Sequence, residues 1–268
     1  MSTGQEPEAT DRRVRRQPPS FRRLEVVRRQ WLTPRLVRIT VAGPELAGFA
    51  LDLPAASVRL LLPGVGETGL EMPVWNGNEF LRADGSRPVI RTFTPRHHRP
   101  PSNELDVDAV LHGDGPAAQW AAGAEPGDVL ALSGPGRGYA LAPDLADLVL
   151  LGDESAIPAI SQLMEIVPPS VVVRVRVEVA DPTGQLDLPA HPGATVSWST
   201  LPVGAAGGAT LVSAMADLAL GPQTQVWAAG EAAAMQRIRR HLFEDRDLPR
   251  SRATVRGYWK VGRSGADD

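Results

Sequence analysis

Within Arg91-Thr92-Phe93-Thr94-Pro95-Arg96 the chain sets two guanidinium groups, an aromatic ring and hydroxyls on one short β-branched stretch. β-Branched and aromatic residues favour strands, and a proline confines such a strand to an edge. An exposed edge of this kind can offer an aromatic face to a flat ring, a hydroxyl to a ring nitrogen and guanidinium groups to phosphate. Those are the needs of a bound flavin dinucleotide. The same six residues also describe an ordinary amphipathic strand with its arginines in water, so the elements around them decide.

A second stretch is His112-Gly113-Asp114-Gly115-Pro116-Ala117-Ala118-Gln119-Trp120. A strand runs into a glycine pair, and Pro116 falls at the first helical position, where proline is favoured. The amides of Gly115, Ala117 and Ala118 then point outward from a helix N-terminus, a ready site for a pyrophosphate. Asp114 opposes an anion there unless its side chain turns away, and a helix start without any ligand is the plain alternative. Two further stretches, Leu151-Gly152-Asp153-Glu154-Ser155-Ala156-Ile157-Pro158 and Trp227-Ala228-Ala229-Gly230-Glu231, read as glycine-marked strand ends leading into helices. Ligands of open α/β sheets sit beyond such ends. The three-glycine dinucleotide fingerprint and the P-loop are both absent, and glycine also serves simply to permit a tight turn. Asp153 and Glu154 could do acid–base work, bond ribose hydroxyls or cap helix amides. The histidines, His97, His98, His112, His191 and His241, form no metal-ligand spacing, so no metal site is expected. Without a readable proton-transfer apparatus, the pattern fits electron or hydride transfer by a cofactor.

The elements that hold these stretches fall into two textures. Residues 1–20 are polar, arginine-rich and aperiodic, and are expected to form a disordered arm. From Phe21 short strands separated by Gly/Pro punctuation follow, at 35–41, 57–62, 91–96, 104–112 and 128–133, with a long loop and a short hairpin between 64 and 88. That is the pattern of a small antiparallel barrel, expected over 21–140. After Gly138 and Pro143 the texture changes. Asp147–Leu151 is a continuous apolar run, as in a strand buried on both faces. A helix at 155–167, a strand at 171–179, weaker strands at 195–198 and 225–228 and a helix at 231–243 complete an α/β domain with a parallel sheet over 144–268.

Composition narrows the classes. The chain has 268 residues, enough for two ordinary domains, and a net charge of -3, which gives no drive toward nucleic acid or an anionic membrane. No apolar run is long enough for membrane insertion and no secretory leader is visible, so a cytoplasmic protein is expected. With no cysteine, disulfides, thiolate-held clusters and cysteine nucleophiles are excluded. Lys260 is the lone lysine, so an anion site here must be built almost wholly from arginine.

Taken together and in order, Arg91-Thr-Phe-Thr-Pro-Arg96, His112-Gly-Asp-Gly-Pro-Ala-Ala-Gln-Trp-Ala121, Gly152-Asp-Glu-Ser-Ala-Ile-Pro158, Trp227-Ala-Ala-Gly-Glu231 and Gly257-Tyr-Trp-Lys-Val-Gly262 resemble the siderophore-interacting proteins of the ferredoxin-reductase superfamily. The resemblance spans about Phe21 to Arg263. It implies a Greek-key FAD-binding barrel followed by an NAD(P)H-binding α/β domain, and FAD-dependent reduction of a ferric siderophore by a monomer. It further implies that Arg91 holds FAD phosphate, that Phe93 packs on the isoalloxazine and that Thr94, the expected catalytic residue, sits at its N5 edge. Val110, His112, Gly115, Pro116, Ala117, Ala118 and Trp120 would line the rest of the FAD. Gly152, Asp153, Glu154, Ser155, Ala156, Gly230 and Glu231 would border NAD(P)H. Phe93 and Ala118 depart from the tyrosine and serine common in the superfamily, and Ser155 from its central phosphate-loop glycine. Because ferric siderophores are often anionic, a basic mouth is expected from Arg59, Arg96 and Lys260. A general NAD(P)H:flavin or electron-carrier reductase, or a non-catalytic siderophore- or flavin-binding protein, are the alternative readings.

Overall fold

Period-two alternation carries the first half of the chain into strands, and register decides which residues meet. The computed structural model describes residues 19–67, 69–113 and 115–262, so the expected arm falls almost entirely outside the described residues, as does Asp114. The strands are β1 (Arg22–Thr33), β2 (Leu36–Ala42), β3 (Val58–Leu62), the two-residue β4 (Val74–Trp75) and β5 (Phe80–Leu81), β6 (Val89–Phe93), β7 (Pro95–Arg99), β8 (Glu104–Val110) and β9 (Val129–Ser133). Helix α1 (Pro116–Gly123) lies between β8 and β9. Seven strands form one antiparallel sheet in the order β6-β3-β9-β1-β2-β8-β7, with β4 and β5 as a separate hairpin in the long loop. The outermost strands, β6 and β7, are consecutive in the chain and are joined through Thr94 alone. The sheet is thereby drawn round into a barrel, filled by Val37, Ile39, Val58, Leu60, Val107, Leu130 and Leu132.

Expected as one strand, Arg91–Arg96 is therefore two. Phe93 pairs with Val58 on β3, whereas Pro95 pairs with Val107 on β8. Thr94 is the break, because one strand supplies only two edges and the chain here must serve opposite margins of the sheet.

The second half alternates as expected: β10 (Asp147–Asp153), α2 (Ile157–Ile166), β11 (Val172–Val179), β12 (Ala194–Thr200), α3 (Ala209–Asp217), β13 (Thr224–Glu231), α4 (Ala232–Arg240) and β14 (Ala253–Trp259). The five strands are parallel in the order β12-β11-β10-β13-β14, so the strand order reverses between β10 and β13. One face packs on α2 through Leu148, Leu150, Ile160 and Leu163, the other on α3 and α4 through Val149, Leu151, Met215 and Ile238. Two elements were not visible as periodic runs. Helix α3 is small-residue rich and buries few side chains, and β14 is interrupted by Gly257. Helix α4 ends at Arg240, where the expected continuation to Phe243 widens into a π turn. No described helix is long and apolar enough to cross a membrane.

The two halves meet along a polar seam. Arg96 donates to both oxygens of Glu165 on α2, at 3.0 and 2.6 Å. The Gln162 side chain donates to the Pro95 carbonyl at 2.7 Å and accepts from the Ala55 amide at 2.8 Å. Arg256 of β14 donates to the carbonyls of Ala55, Arg137 and Gly138.

A charged ladder braces the barrel wall. Arg99 donates to both oxygens of Asp106 at 2.8 and 2.7 Å, Thr40 adds a bond of 2.8 Å, and Arg38 pairs with Asp108. Burial alone would raise Asp106, which is 4% exposed, but the donors and nearby guanidiniums prevail and hold it at about 2. A carboxyl depressed on folding adds stability that is present above its unfolded value and is lost as the pH falls toward its folded one. This pair of values corresponds to roughly 2 kcal/mol. Denaturant unfolding followed as a function of pH should therefore show stability falling between about pH 4 and about pH 2. Asp106→Asn should be less stable at neutral pH and flatten that slope; an unchanged slope would assign the titration elsewhere.

Candidate functional site

Cross-strand pairing sorts the residues of β6. Leu60 and Val58 of β3 face the barrel core, and their partners Arg91 and Phe93 lie on that same side. Phe93, Ala117, Trp120 and Leu111 together pack against the margin of the core. The Arg91 guanidinium is half-buried, and desolvation lowers it below the ordinary arginine value. Arg59 pairs with Thr92, and both are exposed on the opposite side of the sheet. Arg59, expected at a basic mouth with Arg96 and Lys260, is thus placed by strand parity on the face opposite Arg91 and Phe93.

Helix α1 begins as expected, with Gly115 extended at the N-cap and Pro116 in the first turn, and among the described residues no side chain caps it. A Cβ on Gly115 would meet nothing within 4 Å, so the space before the helix is open. The Ala117 and Ala118 amides head this uncapped turn, and the Trp120 Nε1 is buried without a partner among the described residues. An uncapped N-terminus leaves donors that favour an anion.

The three main helix starts of the parallel sheet are built differently. Asp153 accepts from the Ser155 amide at 3.0 Å, Glu231 from the Ala234 amide at 2.9 Å, and Glu178 from the Gly208 and Thr210 amides at 2.6 and 2.9 Å. Asp153 thus caps the short turn 154–156 that leads into α2, while Glu178 and Glu231 sit across the starts of α3 and α4. Gly152 and Gly230, on neighbouring strands at the point where the order reverses, make room for this. A Cβ on Gly152 would lie 2.3 Å from the Ala156 Cβ, and one on Gly230 would lie 2.5 Å from Asp153 Oδ2.

Asp153 ties the strand ends together. Beyond Ser155, its carboxylate accepts from the Glu231 amide at 2.9 Å and from the Trp259 indole at 2.8 Å. Complete burial pushes this carboxyl upward, and the surrounding donors oppose that. The Trp259 ring lies 4.9 Å from the His112 ring, which brings the end of β14 against the end of β8. Arg35, in the β1–β2 turn, donates to both Glu154 oxygens at 3.2 Å. Burial raises Glu154 while Arg35 lowers it, with burial prevailing. Val110, His112, Asp153, Glu154, Ser155, Arg35 and Trp259 enclose a cavity of about 80 Å³ where the two halves meet. Desolvation lowers His112 below the ordinary histidine value, so it is neutral at neutral pH. Thr94 is buried at the same junction, its Oγ1 3.5 Å from the Tyr258 hydroxyl, which burial raises above the usual tyrosine value.

The fold thus gathers Thr94, Val110, His112, the 153–155 turn and Glu231 at one junction, with Arg91, Phe93 and the α1 start on the adjoining barrel margin. Arg96 is not part of an open mouth. It is 9% exposed and committed to Glu165, because β7 runs away from β6 toward α2. Lys260 is exposed one residue past Trp259. Arg35, Glu178, Tyr258 and Trp259 escaped sequence reasoning; for the last two the signal was the Gly257-Tyr-Trp-Lys motif itself.

Residues 25–139 match the family model of the siderophore-interacting FAD-binding domain, and residues 145–262 match that of the siderophore-interacting protein. Ferric vibriobactin reductase ViuB of Vibrio cholerae is 30% identical over 91% of this chain and 90% of its own. A siderophore utilization protein from T. fusca superposes with a TM-score of 0.81 at 38% identity, covering 94% of this chain and 97% of that one. The siderophore-interacting protein SipS from Aeromonas hydrophila follows at 0.76 and 32%, covering 91% and 93%. At 14% identity, phthalate dioxygenase reductase shares the fold with a TM-score of 0.59, over 91% of this chain and 69% of that one.

Arg96 is buried, but its partner Glu165 keeps 40% of its side chain exposed, so breaking the pair costs less than stranding a buried charge. Arg96→Ala should lose roughly 1–2 kcal/mol in denaturant unfolding, whereas Arg59→Ala should change stability by less than about 0.5 kcal/mol. Asp153→Asn should also cost roughly 1–3 kcal/mol, since an amide NH2 would face donors at the strand ends.

Proposed function

The chain belongs to the siderophore-interacting protein family, and from that premise we propose that it is an FAD-dependent ferric-siderophore reductase. The observation that carries this reading is the uncapped start of α1 beside a desolvated Arg91 and the ring of Phe93, all on one barrel margin. These residues fit a flavin dinucleotide. The amides of Ala117 and Ala118 and the Arg91 guanidinium would hold its phosphates, and Phe93 would pack on its ring system. Thr94 would direct its hydroxyl to the ring edge, while Val110, His112, Gly115, Pro116 and Trp120 would wall the cofactor in. When bound, FAD supplies a carrier that accepts two electrons together and releases them singly.

The chain's own residues then orient and insulate the exchange. Thr94 and Tyr258 close the junction from the barrel and sheet sides, excluding water from the ring edge. Gly152 to Ala156 and Gly230–Glu231 are the residues expected to border NAD(P)H. Because the Ser155 and Ala234 amides are already bonded to carboxylates, a nicotinamide nucleotide would be held here by side chains. Glu154 and Ser155 would bond ribose hydroxyls, with Arg35 and Lys260 near its phosphates. Siderophore-bound Fe(III) is the substrate; each electron it accepts yields Fe(II), which hard oxygen ligands hold less tightly, so iron is released. Of the cations expected at the mouth, Arg96 is committed to Glu165, while Arg59 and Lys260 are exposed.

Anaerobic titration of the FAD-loaded protein with NADH and NADPH, followed by a panel of ferric chelates, tests the whole reading. Bleaching by one nucleotide and reoxidation by ferric siderophore faster than by ferricyanide or free flavin is the expected result. Equal turnover on all acceptors would favour a general reductase instead. Arg91→Ala should weaken FAD retention by about tenfold or more, with thermal unfolding of the flavin-free protein nearly unchanged. Unaltered FAD affinity would refute the phosphate role.

A further inference from the structure

A second cavity, of about 910 Å³, opens at the opposite edge of the parallel sheet. It lies where β13 and β14 begin, against the linker between the two halves. Ala253, at its rim, stands six residues before Trp259 on β14, which is about 20 Å at the rise of an extended strand. The cavity is therefore separate from the junction described above.

Its lining is cationic. Arg137, Arg239, Arg250, Arg252 and Arg256 all face it, and no carboxylate is among the lining residues. Arg256 is anchored on three backbone carbonyls, and Arg252 is paired with Asp144 outside the wall. Arg250 lies over the Phe243 ring at 4.8 Å. Neither it nor Arg137 has an acidic partner among the described residues. Guanidiniums gathered without counter-charge repel one another, and an anion relieves that repulsion. A buried group points the same way. Gln225, 2% exposed, lines the cavity and accepts from Tyr139 through its Oε1, leaving its Nε2 buried with no partner. A buried donor with no partner among the described residues is destabilising, a penalty an acceptor in the cavity would remove. The volume lies within the range of small-molecule sites, about 300–1,000 Å³.

We propose that this cavity binds a phosphorylated small molecule, its phosphate oxygens bridging Arg137 and Arg250 and accepting from Gln225 Nε2. Planar guanidiniums suit phosphate oxygens in paired contacts. The site is independent of the reductase reading and involves no residue of the flavin seat.

The test is calorimetric titration of the FAD-loaded protein with tripolyphosphate, ADP and citrate, for wild type and for the double variant Arg137→Ala/Arg250→Ala. Tripolyphosphate and ADP should bind the wild type, with affinity falling as salt is raised. The double variant should bind about tenfold more weakly or worse, with its FAD content and ferric reduction unchanged. ADP binding that persists in the double variant would place the nucleotide at the other edge of the sheet and overturn the proposal. So would the absence of binding by either phosphate probe at low millimolar concentration, or citrate binding as tightly as both. Gln225→Leu offers an independent check: it should weaken phosphate binding, while the free protein loses some stability because the buried Tyr139 hydroxyl loses its acceptor, and unaltered binding would remove Gln225 from the site.

Discussion

The chain must pass from one margin of the barrel sheet to the other through a single residue, Thr94. That constraint organises most of the molecule. Because β6 pairs with β3 and β7 with β8, the two strands diverge sharply at the threonine. Residues before it, Arg91 and Phe93, stay on the barrel margin beside α1. Residues after it, Pro95 and Arg96, are delivered to α2, where Gln162 and Glu165 receive them. One short stretch therefore serves both the barrel margin beside α1 and the interdomain seam. A substitution that freed Arg96 from Glu165 would loosen the geometry of Thr94 as well.

Charge is partitioned with the same economy. Among the described residues no side chain caps the start of the barrel helix, while the turn 154–156 before α2, and α3 and α4 themselves, each have a carboxylate across their starts. Helix N-termini carry partial positive charge, so a carboxylate at the start stabilises the fold. Asp153 does more than cap. By accepting from Trp259 and from the Glu231 amide, it locks β10, β13 and β14 at the point where the strand order turns. Trp259 in turn presses on His112, so the sheet ends and the barrel end are held as one wall. Arginine gathers at the far edge of the sheet, making the two ends of the α/β half opposite in character.

Where local pattern suffices, the elements are legible. The apolar run at 147–151, the alternation at 104–110 and the proline at the head of α1 each act within a few residues, and each element formed where its pattern lies. Helix α3 and strand β14 were silent because small residues and Gly257 blur any period. The break at Thr94 was equally hidden: nothing in six residues tells which of two distant strands each half will pair with.

The sequence by itself determined the two-part architecture, the order of its motifs and the residue types available at each strand end, because turns, periods and caps are short-range. It also determined the family to which the chain belongs. Only the tertiary structure decided which charges remain available. Arg96 looked like an open cation until Glu165, 69 residues away in the chain, was brought against it. Asp153 read equally as acid, ribose acceptor or cap until Trp259 and Glu231 converged on it. Arg59 was set on the face opposite Arg91 and Phe93 by one step of strand parity. A side chain's chemistry is local, but its partners and its exposure are set by register and packing between segments far apart in sequence.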